Sequence, residues 1–183
     1  MGHDAWKKLE QVVANTWGTD RVPMSGAMKS LKTRSDTLHP VIFFECKKLK
    51  DIAPCRWHGY NDSFGRVAYA GHTQVKPGHL PVSLLRERTS RGVLLLVHIK
   101  DFELAYKNWS TVSISDLTSY ITVKDKIAVY KLYKETRELA GIENKVPCVA
   151  LKEKGMPGFM LLFSPSDFGK LYEEYQKACQ HNQ

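Results

Sequence analysis

The segment Val41-Ile42-Phe43-Phe44-Glu45-Cys46-Lys47, directly after His39-Pro40, limits the fold of this chain more than any other. Its β-branched and aromatic content after a proline reads as a buried strand. Successive strand side chains alternate faces. Ile42, Phe44 and Cys46 therefore share one apolar face that belongs against helices, while Val41, Phe43, Glu45 and Lys47 share the other. A carboxylate and an amine on one face, at the end of such a strand, are costly unless they meet a ligand or each other. Asp36 lies nine residues before Glu45 and returns beside it if the two sit on adjacent strands or at a hairpin mouth. Two carboxylates and one backbone carbonyl, that of Cys46, make a hard-oxygen site of the kind Mg²⁺ uses. Lys47 would orient a water and balance phosphate charge there, which is the chemistry of phosphodiester hydrolysis. The plain alternative is a chance E-x-K on a solvated edge strand.

Charge weighs against that alternative. Lys and Arg total 27 against 19 Asp and Glu, a net charge of +8. Residues 21–56 hold eight Lys/Arg against three acids, so a fifth of the chain carries +5 of the excess. A local basic patch around candidate chemistry implies an anionic partner, above all nucleic acid. The longest apolar run, Val93 to Val97, is far short of a membrane span. The N-terminus shows no signal-peptide pattern, so a cytoplasmic location is expected. Cys46, Cys55, Cys148 and Cys179 form no CxxC pair and read as free thiols. Cys55-x2-His58 with His72 and His79 matches no zinc spacing, and these histidines read as packing or surface residues.

Trp6, Leu9, Val13 and Trp17 form an apolar helix stripe that Gly18 ends, with Glu10 beside it. Arg21-Val22-Pro23 reads as extended. Between residues 48 and 124, Leu84–Arg91 is expected as a short helix and Val93–Ile99 as a strand. Asp101 is expected to cap a helical turn through Trp109, and Thr111–Ile114 and Tyr120–Val123 to be short strands. Ile127–Ala140 is a helix with Gly141 as its stop. Val146–Leu151 and Phe159–Phe163 are strands. Ser164-Pro165-Ser166-Asp167 resembles a capping-box entry, with Pro at the first helical position, to a last helix carrying Phe168, Leu171, Tyr172, Tyr175 and Cys179.

Taken together, Arg21-x3-Ser25-Gly26-Ala27, Asp36 and Phe44-Glu45-Cys46-Lys47 resemble the PD-(D/E)xK nuclease superfamily. More narrowly, they resemble the archaeal-type Holliday junction resolvases and their phage-encoded relatives. The segments Val146–Gly155, Gly158–Phe163 and Asp167-Phe168 are similar to the phage members, and the likeness covers about residues 3–50 and 125–170. It implies an active site of Glu10, Ser25, Asp36, Glu45 and Lys47. The implied metal ligands are Asp36, Glu45, the Cys46 carbonyl and Glu10, for Mg²⁺ with Mn²⁺ as a substitute. Without the resemblance, Glu10 reads as a surface glutamate and Ser25-Gly26 as a turn. Arg21, Ser25, Lys29, Lys32, Arg34 and Lys48 are the candidate DNA contacts, with a structural ion pair as the alternative for Arg21. Two departures stand out: Gln11 follows Glu10 where archaeal members often carry Arg, and residues 48–124 intervene after E-x-K.

The expected fold is α/β, a mixed central sheet flanked by helices in a restriction-endonuclease-like arrangement. A single nuclease domain of residues 1–183 is expected, with a core of about 3–50 and 125–180 and an insertion at about 51–124. That insertion would hold a second DNA-gripping lobe or an oligomer contact. The expected activity is Mg²⁺-dependent cleavage of four-way DNA junctions by a homodimer. A sequence-specific restriction-type endonuclease and a DNA-binding protein with a vestigial site are the alternatives.

Overall fold

A computed structural model describes residues 5–23, 33–49, 57–61, 67–69, 82–87, 93–105, 119–123, 128–154 and 157–181. Helix α1 (Ala5–Thr16) follows its stripe, with Leu9, Val13 and Trp17 buried. It ends as expected at Gly18, whose φ of 59° lets Thr19 N–H reach Ala14 O at 3.0 Å and close the last turn.

Strand β1 (Ile42–Leu49) pairs in parallel with β7 (Val146–Glu153), in a register that sets Phe44 beside Cys148 and Lys48 beside Lys152. β8 (Met160–Phe163) pairs antiparallel with both β7 and β5 (Val93–His98). β4 (Val82–Glu87) and β6 (Ser119–Val123) complete a six-stranded mixed sheet of order β1-β7-β8-β5-β4-β6. A separate ribbon pairs β2 (Trp57–Asn61) with β3 (Val67–Tyr69). Pro147 is tolerated inside β7 for a positional reason. Val146 N–H points to Val41 O on the β1 side, so the hydrogen that Pro147 lacks would point toward β8, whose pairing begins only at Val149.

Three helices cover one face of the sheet. Leu9 and Val13 of α1 with Trp17 just after it, Ile99 and Phe102 of α2 (Ile99–Ala105), and Leu171 and Tyr175 of α4 (Phe168–His181) close over Ile42, Phe44, Cys46, Cys148 and Ala150. Trp17 lies 4.9 Å from the Phe44 ring centroid and 5.7 Å from that of Tyr175. Helix α3 (Ala128–Ile142) packs on the other face against β7 and β1, burying Tyr133, Thr136 and Ala140. Phe43, on that second face, is therefore fully buried as well. The polar part of β1 starts only at Glu45.

Several sequence expectations are corrected. Of the expected Leu84–Arg91 helix, the described part, residues 84–87, is strand, because residues 82–87 form β4. Its leucines pair with β5 on one side and β6 on the other, and those ladders override local helix preference. Gly141 does not stop α3. The helix runs to Ile142, and Asn144 takes the left-handed stop at φ 53°, with Lys145 N–H returning to Ala140 O at 2.9 Å. Asp101 sits inside the first turn of α2, and His98 Nδ1 accepts the Lys100 N–H at 3.4 Å in the capping place. Ser164 does not cap with its side chain: its hydroxyl bonds Ser166 Oγ at 2.8 Å, and Pro165–Asp167 form a 3₁₀ turn before α4. The 51–124 stretch is not all peripheral, since β5 pairs inside the main sheet and Leu95, Val97, Ile99 and Phe102 join the central core. The expected Thr111–Ile114 strand lies outside the described residues.

Candidate active site

The ladder with β7 uses one edge of β1, and a row of side chains from residues 35–39 closes the other. His39 Nδ1 accepts Ile42 N–H at 3.0 Å, Ser35 Oγ accepts Phe44 N–H at 3.0 Å, and Asp36 Oδ2 accepts Cys46 N–H at 2.7 Å. Asp36 N–H in turn donates to Phe44 O at 2.9 Å. Side-chain capping of this kind shields a strand edge that would otherwise invite another chain. It also places the Asp36 carboxylate against the peptide between Glu45 and Lys47. Within a strand, the N–H and C=O of one residue point to the same side. The Cys46 carbonyl therefore faces the Asp36 edge.

Glu45 and Lys47 follow Phe43 on the α3 face, with Lys47 Nζ 2.7 Å from Glu45 Oε1. The Lys47 side chain is 49% exposed and that of Glu45 17%, so the pair lies where buried strand meets solvent. Burial pulls the Lys47 ammonium down, but the hydrogen bond and charge of Glu45, with Asp36 beyond, outweigh it and hold the group above its ordinary value. Lys47 is consequently a cation at neutral pH, a donor and not a general base.

The third carboxylate arrives from α1. Glu10 is 2% exposed, and its Oε2 lies 3.3 Å from Arg21 Nη1. Arg21 is bridged antiparallel to Thr37, so this ion pair ties α1 to the segment carrying Asp36. The structural alternative for Arg21 is thus the contact observed. Burial pushes the Cys46 thiol well up, and the charges of Asp36, Glu10 and Glu45 push it further. Burial first, and the three acids after it, keep that thiol neutral.

A divalent cation fits this donor set. Among the described residues, no three His, Cys, Asp or Glu side chains form a ready cage. Mg²⁺, however, takes one or two carboxylates and keeps several waters. Asp36, Glu45 and the Cys46 carbonyl would supply that number.

Thr33 Oγ1 and the Arg34 N–H both donate to Glu143 at 2.6 Å, which fixes the start of this loop to the end of α3. Arg34 is exposed there. Ser25, Lys29 and Lys32 lie outside the described residues, as do Cys55, His72 and His79. Lys48 is described through its backbone only. Ser35 and His39 escaped the sequence reading. Their signal is position alone: small or ring acceptors just before a strand, able to cap its free N–H groups. No family model, curated protein or solved structure matches the chain.

Proposed function

We propose that this protein is a Mg²⁺-dependent endonuclease with a restriction-endonuclease-like core, a homodimer that cuts four-way DNA junctions by phosphodiester hydrolysis. The observation that carries the reading is the Asp36 carboxylate on the Cys46 N–H, between Glu45 and Lys47. An acid nine residues away in sequence is brought to an E-x-K triplet at the wet end of an otherwise apolar strand. The net charge of +8 supports a polyanionic substrate.

Asp36, Glu45 and the Cys46 carbonyl would hold the ion. The chemistry a bound divalent ion supplies is Lewis-acid activation of water and neutralisation of phosphate charge. Lys47, kept protonated, donates to the attacking water or to a non-bridging phosphate oxygen. The Glu10–Arg21 pair holds the Asp36 segment against β1, and the side chains of residues 35–39 fix the strand edge on which the phosphate is presented. Two symmetric cuts at a junction need two sites, which a C2 dimer provides.

Incubation with Mg²⁺ and end-labelled four-way, forked and linear duplex DNA tests the proposal. Paired nicks confined to the junction are expected. Cleavage of linear duplex at one sequence would replace it with a restriction-type enzyme, and a gel shift without products with a DNA-binding protein.

A further inference from the structure

At the end of the sheet where β1 carries Glu45 and Lys47, the neighbouring elements also end in cations. The parallel register sets Lys48 beside Lys152, and paired strands lie about 4.8 Å apart. Lys152 Nζ donates to Gly158 O at 2.7 Å, across the turn from β7 to β8. Gly158 has φ 65° and presses on His98, where an added Cβ would fall 2.4 Å from Nε2. His98 closes β5, and its Nε2 contacts Pro157 O at 3.2 Å. Two residues on, Lys100 is exposed in the first turn of α2, and Lys154 is exposed after β7.

Lys47 on β1, Lys152 on β7 and Lys100 just after β5 therefore stand at one end of the sheet, where β1 and β5 are three strand spacings or about 14 Å apart. Burial, together with the nearby Lys100 and Lys152 charges and against the opposing bond to Pro157 O, lowers the His98 pKa to about 4, in keeping with cations placed close to it. Among the described side chains, the acids on this rim are engaged or buried. Glu45 bonds Lys47, Asp101 is buried in α2, and Glu103 bonds Tyr175. Glu153 ends β7.

We propose that Lys152, Lys154 and Lys100 form the track for a duplex DNA arm leaving the candidate active site, each contacting the phosphate backbone. The inference rests on the nuclease reading for the position of the scissile phosphate. A DNA strand presents one phosphate per about 3.4 Å of helix axis, so the row is long enough for several contacts.

The test is fluorescence anisotropy of the full chain on a labelled four-way junction and a linear duplex, in chelator, across a salt series. Lys100→Ala and Lys154→Ala, both exposed, should each weaken binding several-fold near 0.1 M salt. Each should flatten the slope of log K against log salt by about 0.9, and the double variant by about 1.8. Lys152→Gln should do the same, and Lys131→Ala, on the exposed face of α3, should change nothing. Wild-type slopes in both exposed variants would overturn the track, as would an equal effect of Lys131→Ala. If wild type binds no DNA, track and nuclease reading both fall. Flattened slopes beside undiminished Mg²⁺-dependent cleavage by Asp36→Asn and Glu45→Gln would support the track and sink the site assignment alone.

Discussion

Asp36 does two things with one carboxylate: it seals the edge of β1 and contributes charge at the E-x-K pair. Its substitution therefore needs a partner experiment. Asp36→Asn keeps an acceptor oxygen for Cys46 N–H, so the fold should hold while Mg²⁺-supported cleavage falls by at least two orders of magnitude. Glu45→Gln and Lys47→Ala should lose cleavage similarly. Junction binding should stay near normal in all three, because affinity comes from many phosphate contacts and not from the groups that organise water. Single-turnover cleavage beside equilibrium binding checks this, and parallel loss of both would refute the division. A second residue-scale prediction concerns Thr37, fully buried and with no hydrogen-bond partner for its hydroxyl among the described residues. Thr37→Val removes an unsatisfied polar atom at nearly constant shape and should raise stability by about 1 kcal/mol in urea unfolding. A loss of similar size would mean the hydroxyl is satisfied.

At the scale of the element, β1 depends on the residue 35–39 segment as a second strand would depend on a ladder. Ser35 Oγ accepts from Phe44 N–H and donates to Phe44 O at 3.3 Å, so one hydroxyl satisfies both edge groups of a fully buried residue. Ser35→Ala should cost about 1–3 kcal/mol. It should also raise amide exchange at Phe44 more than at Phe43, whose N–H faces β7. Equal exchange at the two would show that the edge is held some other way. The apolar face of β1 was legible from period-two alternation alone, and Ile42, Phe44 and Cys46 lie in the central core as that pattern requires. The burial of Phe43 was not legible, since it depends on α3 packing across the opposite face. Residues 82–87 show the same limit. Their leucines suit either a helix or a strand, and only the flanking β5 and β6 ladders decide.

For the whole molecule, pH provides a test of packing. His98 is 6% exposed and titrates near 4 in the folded state, against 6.5 for the free side chain, because burial disfavours the imidazolium. The unfolded chain therefore binds the proton more readily. The stability linked to His98 is complete above pH 6.5 and drains away as pH falls toward 4, by on the order of 3 kcal/mol. Urea unfolding at pH 7.5, 5.5 and 4.5 should show a steeper loss in wild type than in His98→Gln, and equal slopes would contradict the buried neutral imidazole. Gly158→Ala should weaken the same corner of the molecule, because it combines a left-handed φ with a Cβ clash against His98.

Local chemistry was enough to determine α1 and its Gly18 stop, the apolar face of β1, the strands at Val93, Val146 and Phe159, and the concentration of positive charge near E-x-K. Those features depend on side-chain period, turn residues and composition, all carried by neighbours in sequence. Tertiary structure alone decided the partners. It returned Asp36 to Cys46, gave Arg21 to Glu10, set Lys152 beside Lys48, and drew β5 from the middle of the chain into the main sheet. The physical reason is that backbone N–H and C=O groups are identical along a chain. Which ones meet is settled by the packing of distant apolar faces, and polar side chains such as Ser35, Asp36 and His39 then take up the edge groups that packing leaves unpaired.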